Sequence, residues 1–405
     1  MPEPMAFGSG IRASAIKRRY RMNAIGFSDK RLLFKRAAVA LLALLFFIFL
    51  YFLNQVEKPE LINTYGRTFE KATVAEILQD NLQEDGSRVG NQVVLLKMRS
   101  GQLKGQLLEA TSANGYLFGA NCKPGMRVIV LSSVSGDTQV LSVYTADREW
   151  AVYLFAAVFF LVLCLVGGKR GIKSAAGLGF TILCIIYLYL PMIYKGASPF
   201  WSAILIVIIT TIVTIYLISG VTVKGICAVL GTIFGVLVSG IFATLFGWLA
   251  NINGYNVSNI ESLLFIGQVT DVQIGGLLFS GILISSLGAV MDVAMSVAST
   301  LCELYENNPQ MTRLKLFRSG INVGRDMMGT MSNTLILAFA GNSLSVLVLN
   351  YAYALPYAQI VNSYAIGIEI MQGVSGSIGI ILTVPLVSMI SAALLTARKK
   401  EAASV

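Results

Sequence analysis

Two acidic residues lie in or beside stretches of sequence that are otherwise apolar. Asp292 lies within the apolar segment Ile274–Val297, and Asp326 directly precedes the apolar segment that begins at Met327. A charged side chain at the centre of a membrane-spanning helix costs roughly 2.5–3.5 kcal/mol. Both carboxylates therefore need an explanation, and a water-filled route or a proton relay is one.

Polar side chains recur on either side of these carboxylates at intervals of three or four residues, which places them on one face of a helix. Two helices joined by one loop run antiparallel, so the two polar faces can meet, with Asp292 near the depth of Thr330 and Asn333. The candidate residues are Asp292, Ser296, Ser299, Thr300, Asp326, Thr330 and Asn333, with Glu303 as a weaker one.

These polar faces have two interpretations. In the first they bound a cavity or an ion pathway, since intramembrane carboxylates often line such routes. In the second they hold helices together through hydrogen bonds, and a carboxylate near a cytoplasmic end reaches water or pairs with Arg325. The spacing fits both for Asp292 and favours the second for Glu303.

Two facing aspartates also suggest an intramembrane aspartyl protease, in which two carboxylates share a proton and activate water. The Tyr-Asp and Gly-x-Gly-Asp strings of that class are missing, since Asp292 follows Met291 and Asp326 follows Arg325. The chain has no histidine, which excludes Ser-His-Asp and Cys-His mechanisms, and its 5 cysteines form no C-x-x-C pair. We therefore predict no enzyme activity, no catalytic residue, no metal site and no cofactor.

Glycines form a second pattern. Gly231-x-x-x-Gly235 places small residues one helical turn apart, which permits close approach of helix backbones. Gly373-x-x-Gly376 opens the last apolar segment in the same way. Close packing is the simpler interpretation, and a broken helix at a binding site is the alternative. The weaker candidates for such a site are Glu369 and Gln372.

The elements that must position these residues follow from composition. The chain has 405 residues, of which 55% are hydrophobic and 13% charged, so it is more apolar than a soluble protein. A run of about 20 apolar residues spans a bilayer as a helix. The qualifying runs are Ala37–Leu53, Ala151–Val166, Ala175–Tyr194, Trp201–Ser219, Ile226–Ala250, Ile274–Val297, Met327–Leu349 and Met371–Leu395.

Basic residues set the predicted orientation, because cytoplasmic loops carry an excess of Lys and Arg. A basic segment, residues 1–36, precedes the first run, residues 37–53, which we expect to be an uncleaved anchor; a cleaved signal peptide is the alternative. The outer connections after residue 150 contain only Lys195. Both termini are therefore predicted to be cytoplasmic, and the net charge of +10 is a topology signal rather than a sign of a nucleic-acid partner. The inner basic residues are Lys169, Arg170, Lys173, Lys224, Arg313, Lys315, Arg318, Arg325, Arg398, Lys399 and Lys400.

Residues 55–149 are polar and have nearly balanced charge. Five stretches have strand-like alternation or β-branched content and are separated by Gly, Asn, Asp and Ser, which predicts a small closed barrel of OB or SH3-like type. The predicted orientation makes this domain extracytoplasmic. The stretches are Ala72–Leu78, Gln92–Met98, Gly105–Thr111, Met126–Ser132 and Gln139–Tyr144.

Five strings of sequence carry a resemblance: Gly90–Val94, Arg99–Gly105, Leu287–Ala294, Ser299–Leu304 and Met328–Ala338. Together they resemble the YibE/F-like family of bacterial multi-pass membrane proteins. The order of anchor, outer domain and hydrophobic C-terminal block is also similar. The resemblance implies a class and a topology, and it supplies no mechanism.

The sequence thus predicts an α-helical polytopic protein of the bacterial cell membrane, with about eight spans and a small all-β extracytoplasmic domain. Its expected function is that of a permease, exporter or channel for a small solute or ion. The alternative is a non-transporting membrane scaffold whose outer domain binds an envelope protein or polymer. An enzyme for lipid-linked substrates is weaker, since no catalytic set is present. The predicted domains are 1–36, 37–53, 55–149, 150–395 and a basic tail, 396–405.

Overall fold

The computed structural model describes residues 37–403 apart from 39, 57, 62–63, 85–87, 114–118, 136–137 and 258. The predicted basic segment 1–36 lies outside the described residues. The chain divides into two compact units. One is Lys58–Ala176, and the other combines the N-terminal helix with the residues from Gly177 onward.

The unit Lys58–Ala176 contains a closed barrel of five strands in the order β1-β2-β3-β5-β4. Neighbouring strands are antiparallel except β3 and β5, which are parallel, and β1 closes the barrel by pairing with both β2 and β4. The predicted five-stranded barrel is confirmed, and its strand order is that of the OB type. The strands are β1 Arg67–Gln79, β2 Gln92–Met98, β3 Leu107–Ser112, β4 Arg127–Ser135 and β5 Thr138–Ala146.

Alternation along the strands fills the barrel interior. In β2 the side chains of Val94, Leu96 and Met98 are buried, as the two-residue period of a strand requires. Gln92 is also buried, but its amide nitrogen donates to a carboxylate oxygen of Asp80 at 2.8 Å and its amide oxygen accepts the Cys122 N–H at 2.8 Å. The buried amide is therefore paired, which avoids the cost of an unsatisfied polar group.

The described part of the chain contains ten labelled α-helices. The longest elements carry the apolar runs predicted to span a bilayer. The ten are α1 Ala40–Leu53, α2 Glu149–Cys184, α3 Pro199–Ser219, α4 Val223–Leu249, α5 Ile260–Val269, α6 Leu277–Asn307, α7 Arg313–Asn342, α8 Leu344–Ala352, α9 Tyr357–Val361 and α10 Tyr364–Ala403. Three further short helical segments in the described residues are Ile185–Tyr189 and Leu190–Tyr194, which continue α2, and Ile274–Gly276, which precedes α6.

Among the described residues, five helices are long and apolar enough to cross a membrane, or six if α7 and α8 form one bent span. The predicted segments Ala151–Val166 and Ala175–Tyr194 fall in one helical stretch, Glu149–Tyr194, which is interrupted at Gly168, where φ is 52°. Only glycine adopts that backbone region at low cost. Helix α1 is shorter than a full span. The number of eight spans stays a prediction.

Glycines allow the helices from Gly177 onward to pack closely. A Cβ built on Gly379 of α10 would lie 2.8 Å from the carbonyl oxygen of Gly235 in α4, so no side chain fits between the two backbones. A Cβ on Gly231 would overlap Val387 of α10. The close packing predicted for the Gly231-x-x-x-Gly235 pattern is confirmed.

The barrel core generates a stability prediction. The isolated fragment 60–148 should fold and unfold cooperatively, because its strands close on themselves around their own apolar core. Leu96→Ala should lower its free energy of unfolding by about 2–5 kcal/mol, since the side chain is fully buried. Leu107→Ala is the matched control, because Leu107 is 55% exposed, and it should cost less than about 0.5 kcal/mol. Denaturant unfolding followed by circular dichroism measures both; no cooperative transition in the parent fragment would contradict an autonomous barrel.

Candidate functional site

Helix α6 has two faces of different character. The face that packs into the helix bundle is apolar and includes Val290, Val293 and Val297, which are fully buried. The opposite face contains small and polar residues, and a Cβ built on Gly281 or Gly288 would meet nothing within 4 Å. The polar face predicted from the sequence is therefore the face that this chain leaves uncovered.

Asp292 lies on that uncovered face. Its side chain is exposed, and within the described part of the chain its carboxylate has no hydrogen-bond or ion-pair partner. The described ion pairs join Lys71 to Glu149 and Arg88 to Asp80, both in the unit Lys58–Ala176. Asp292 is thus not held by contacts with neighbouring helices of its own chain.

Helix α7 repeats this arrangement. Gly320 and Gly324 are buried against α10, where added Cβ atoms would contact Ser388 and Val384. The opposite face carries Asp326, Thr330 and Asn333, all of them exposed, and Gly329 among them has open space in front of it. The bundle therefore uses the glycine face of α7 for packing and leaves the polar face outside.

The two polar faces lie at a common depth. Leu301 of α6 approaches Gly320 of α7, and the helices are consecutive and antiparallel. Asp292 lies nine residues before Leu301, and Gly329 lies nine residues after Gly320. Because the two helices are antiparallel, Asp292 is at the same depth as Gly329 and Thr330. The structure does not bring the Asp292 carboxylate within hydrogen-bond distance of Thr330 or Asn333.

Two of the four hydroxyls in the predicted set bond to their own helix. The Thr300 hydroxyl donates to the Ser296 carbonyl at 2.9 Å, and the Thr330 hydroxyl donates to the Asp326 carbonyl at 3.0 Å. A third hydroxyl, that of Ser299, accepts from the Lys224 ammonium at 2.6 Å. Lys224, at the start of α4, is a site residue that the sequence reasoning treated only as a topology signal. A lysine beside an apolar run was the available clue.

The three weaker candidates, Glu303, Glu369 and Gln372, lie in different surroundings. Glu303 is exposed near the end of α6, as an ordinary water-facing residue would be. Glu369 is half-buried, and one carboxylate oxygen is buried without a hydrogen-bond partner among the described residues. Gln372 is half-buried one turn further along α10. In the described ranges, no three Cys, Asp or Glu side chains are grouped so that they could hold a metal ion.

The unit Lys58–Ala176 has a separate polar cavity of about 320 Å³. Three basic residues, Lys71, Arg99 and Arg127, line it together with two carboxylates, Asp147 and Glu149. The hydrogen bond from Lys71 to Glu149 raises the pKa of that ammonium. The guanidinium groups of Arg99 and Arg127 have no ion-pair partner among the described residues, and the basic groups outnumber the carboxylates by one, so the cavity suits a single anionic group.

Long apolar helices with uncovered apolar side chains define this chain as an α-helical membrane protein. The family described as YibE/F-like protein matches residues 155–397, which is more than half of the chain. The chain therefore belongs to the YibE/F-like family, and the resemblance noted from the sequence is confirmed. No curated protein and no solved structure matches it.

The two faces of α7 should differ in how well they tolerate a larger side chain. Gly324→Val should lower the thermal stability of the detergent-purified protein, because the new side chain would overlap Val384, and overpacking typically costs about 1–3 kcal/mol. Gly329→Val, its matched control on the same helix, should leave stability nearly unchanged because nothing lies within 4 Å. Thermal unfolding of both variants tests the assignment. Equal destabilisation by the two would show that the polar face is packed after all.

Proposed function

We propose that this protein is a permease, exporter or channel for a small solute or ion, and that the polar faces of α6 and α7 line its route. The observation that carries the proposal is the exposure of Asp292, level with Thr330, without a hydrogen-bond or ion-pair partner among the described residues. The set that would line the route is Asp292, Ser296, Ser299, Thr300, Asp326, Thr330 and Asn333.

The Asp292 carboxylate could face hydrocarbon, another helix or water, and these surroundings differ in free energy. Exposure to hydrocarbon costs roughly 2.5–3.5 kcal/mol on insertion scales. Pairing with a neighbouring helix removes that cost, but the described structure offers no partner. Contact with water also removes it, and polar groups at the same depth, such as those of Thr330 and Asn333, favour a wet surface. Water is therefore the surrounding that best fits the arrangement, and no catalytic step is required.

The orientation belongs to the same proposal. Both termini would lie in the cytoplasm of a bacterial cell and the barrel would lie outside the cell membrane, because Lys and Arg concentrate in alternate connections. Trp201 at the start of α3 and Trp248 at the end of α4 are exposed, and both positions are predicted outer ends of spans, where tryptophan prefers the interface. The route would then connect the cytoplasm with the barrel side of the membrane.

A scaffold is the second candidate. In that role the helices only hold the barrel, and the barrel binds an anionic envelope protein or polymer. The cavity with Arg99 and Arg127 supports it, because two unpaired guanidinium groups beside Trp150 match the chemistry of an anionic ligand. The two candidates differ in one respect, since a scaffold needs no water beside Asp292.

Single-cysteine labelling separates the two. In membranes, with all five native cysteines replaced by Ala, cysteines at positions 292, 296, 330 and 333 should react with a charged, membrane-impermeant thiosulfonate reagent. Position 293 is the buried control and position 241, where Ile241 in the apolar helix α4 is 63% exposed, is the lipid-facing control; both should stay unlabelled. The four test positions should be labelled because a charged reagent reaches only thiols in contact with water. Protection of all four test positions would contradict the route and leave the scaffold.

A further inference from the structure

A second cavity, of about 200 Å³, lies among α7, α8 and α10. Its wall is mostly apolar and includes Ile336, Phe339, Leu347 and Ile370. Only two side chains that line it carry polar groups, and these are Ser343 and Glu369. A concave apolar wall with a few polar groups is the usual composition of a small-molecule site.

The cavity exists because the span breaks. Helix α7 ends at Asn342 and α8 begins at Leu344, and the two axes differ by 58°. Gly341, Asn342 and Ser343 are weak helix formers, and consecutive residues of this kind account for the break. Broken helices within membrane domains commonly border binding sites.

Ser343 lies at the break. Its side chain is only 6% exposed, and its hydroxyl caps neither helix and has no hydrogen-bond partner among the described residues. A buried hydroxyl without a partner is destabilising by about 1–3 kcal/mol. The hydroxyl is thus available to a ligand in the cavity.

Glu369 faces the same cavity from α10. One of its carboxylate oxygens is fully buried and likewise has no hydrogen-bond partner in the described ranges. No basic side chain lines the cavity to balance the charge. A cation that enters would therefore be attracted, and it would satisfy two polar groups that this chain leaves unpaired.

We propose that this cavity binds a small hydrophobic amine in its ammonium form. The ammonium group donates to the Glu369 carboxylate and to the Ser343 hydroxyl, and the apolar part of the ligand packs against Phe339, Leu347 and Ile370. A bare metal ion fits less well, because a space of about 200 Å³ with apolar walls supplies few oxygen ligands.

The inference deepens the proposed function by naming a substrate class, and it rests on that function only for the role of the site. Binding is measured without transport, and the cysteine labelling uses no amine. If the amine binds but the cysteines are not labelled, the amine site is supported and the route is contradicted. If the cysteines are labelled but the amine does not bind, the route is supported and the amine site is contradicted.

The test uses the full chain purified in detergent, with 2-phenylethylamine as the probe. We expect the amine to raise the Tm by about 3 °C at 100 times its Kd. The neutral 2-phenylethanol and the anionic 3-phenylpropanoate have the same apolar part and should shift the Tm much less. Calorimetric titration of the same samples gives the Kd values.

Four substitutions test whether the amine binds in this cavity. Glu369→Gln keeps the shape and removes the charge, and it should weaken amine binding at least about tenfold; Ser343→Ala should weaken it by about tenfold without unfolding the protein. Glu306→Gln removes an exposed carboxylate away from the cavity and should bind as the parent does. Gly373→Ala should fold normally, because its Cβ would meet Ile336 and Phe339 at 3.7 Å, yet weaken binding by reducing the space.

Two results would overturn the proposal. One is binding of the alcohol as tightly as the amine with no effect of Glu369→Gln, which would show a groove for any apolar molecule. The other is the absence of any amine-dependent shift at millimolar concentration in a protein whose own unfolding is cooperative.

Discussion

The contact between α4 and α10 is the interaction on which the helix bundle depends. Gly235 and Gly379 meet backbone to backbone, and Thr383 and Val387 fill the positions beside them. Helices in a bilayer gain little from burying apolar surface, so van der Waals contact of this closeness is what holds them together. Helix α6 packs on both α4 and α10, whereas α7 packs on α10, and each can present only one face to these contacts. Their polar faces are therefore left outside the contacts of a single chain.

Helix α7 connects the two regions that are proposed to bind or conduct a solute. Its polar face carries Thr330 and Asn333, whereas Ile336 and Phe339 on the next turns line the amine cavity. The break at Ser343 ends the helix just beyond them. A change of angle at that break would alter both regions, because they share the rigid stretch Met327–Asn342. The same helix would therefore couple occupancy of the cavity to the shape of the polar surface.

The sequence indicated the local elements well. Strand β2 has the bounds expected from its alternation, and the five-stranded barrel followed from strand length and turn residues. The break at Ser343 was missed within the expected span Met327–Leu349, although Gly341 and Asn342 marked it, because a helix break is decided by neighbouring packing as much as by propensity. The division of residues 150–194 into two segments followed from two apolar runs, and the structure agrees in placing a non-helical residue, Gly168, between them, where two helices meet at a kink.

The site was only partly predictable for a related reason. Periodicity predicted that Asp292 and Thr330 each belong to a polar helix face, and both residues are exposed in the structure. It could not show that Ser299 meets Lys224, or that Glu369 and Ser343 share a cavity. Those pairs are distant in sequence, and their meeting is decided by how glycine contacts set the distance between helices.

The thermal stability of Asp292→Asn in lipid nanodiscs tests the central claim most directly. A carboxylate in water predicts a free energy of unfolding within about 0.5 kcal/mol of the parent, as for most surface substitutions. A carboxylate paired with another group predicts a loss of about 3–5 kcal/mol. A carboxylate facing lipid predicts a gain, up to roughly 2.5–3.5 kcal/mol. Unchanged stability is the result that the wet polar face predicts, and a large change of either sign would contradict it.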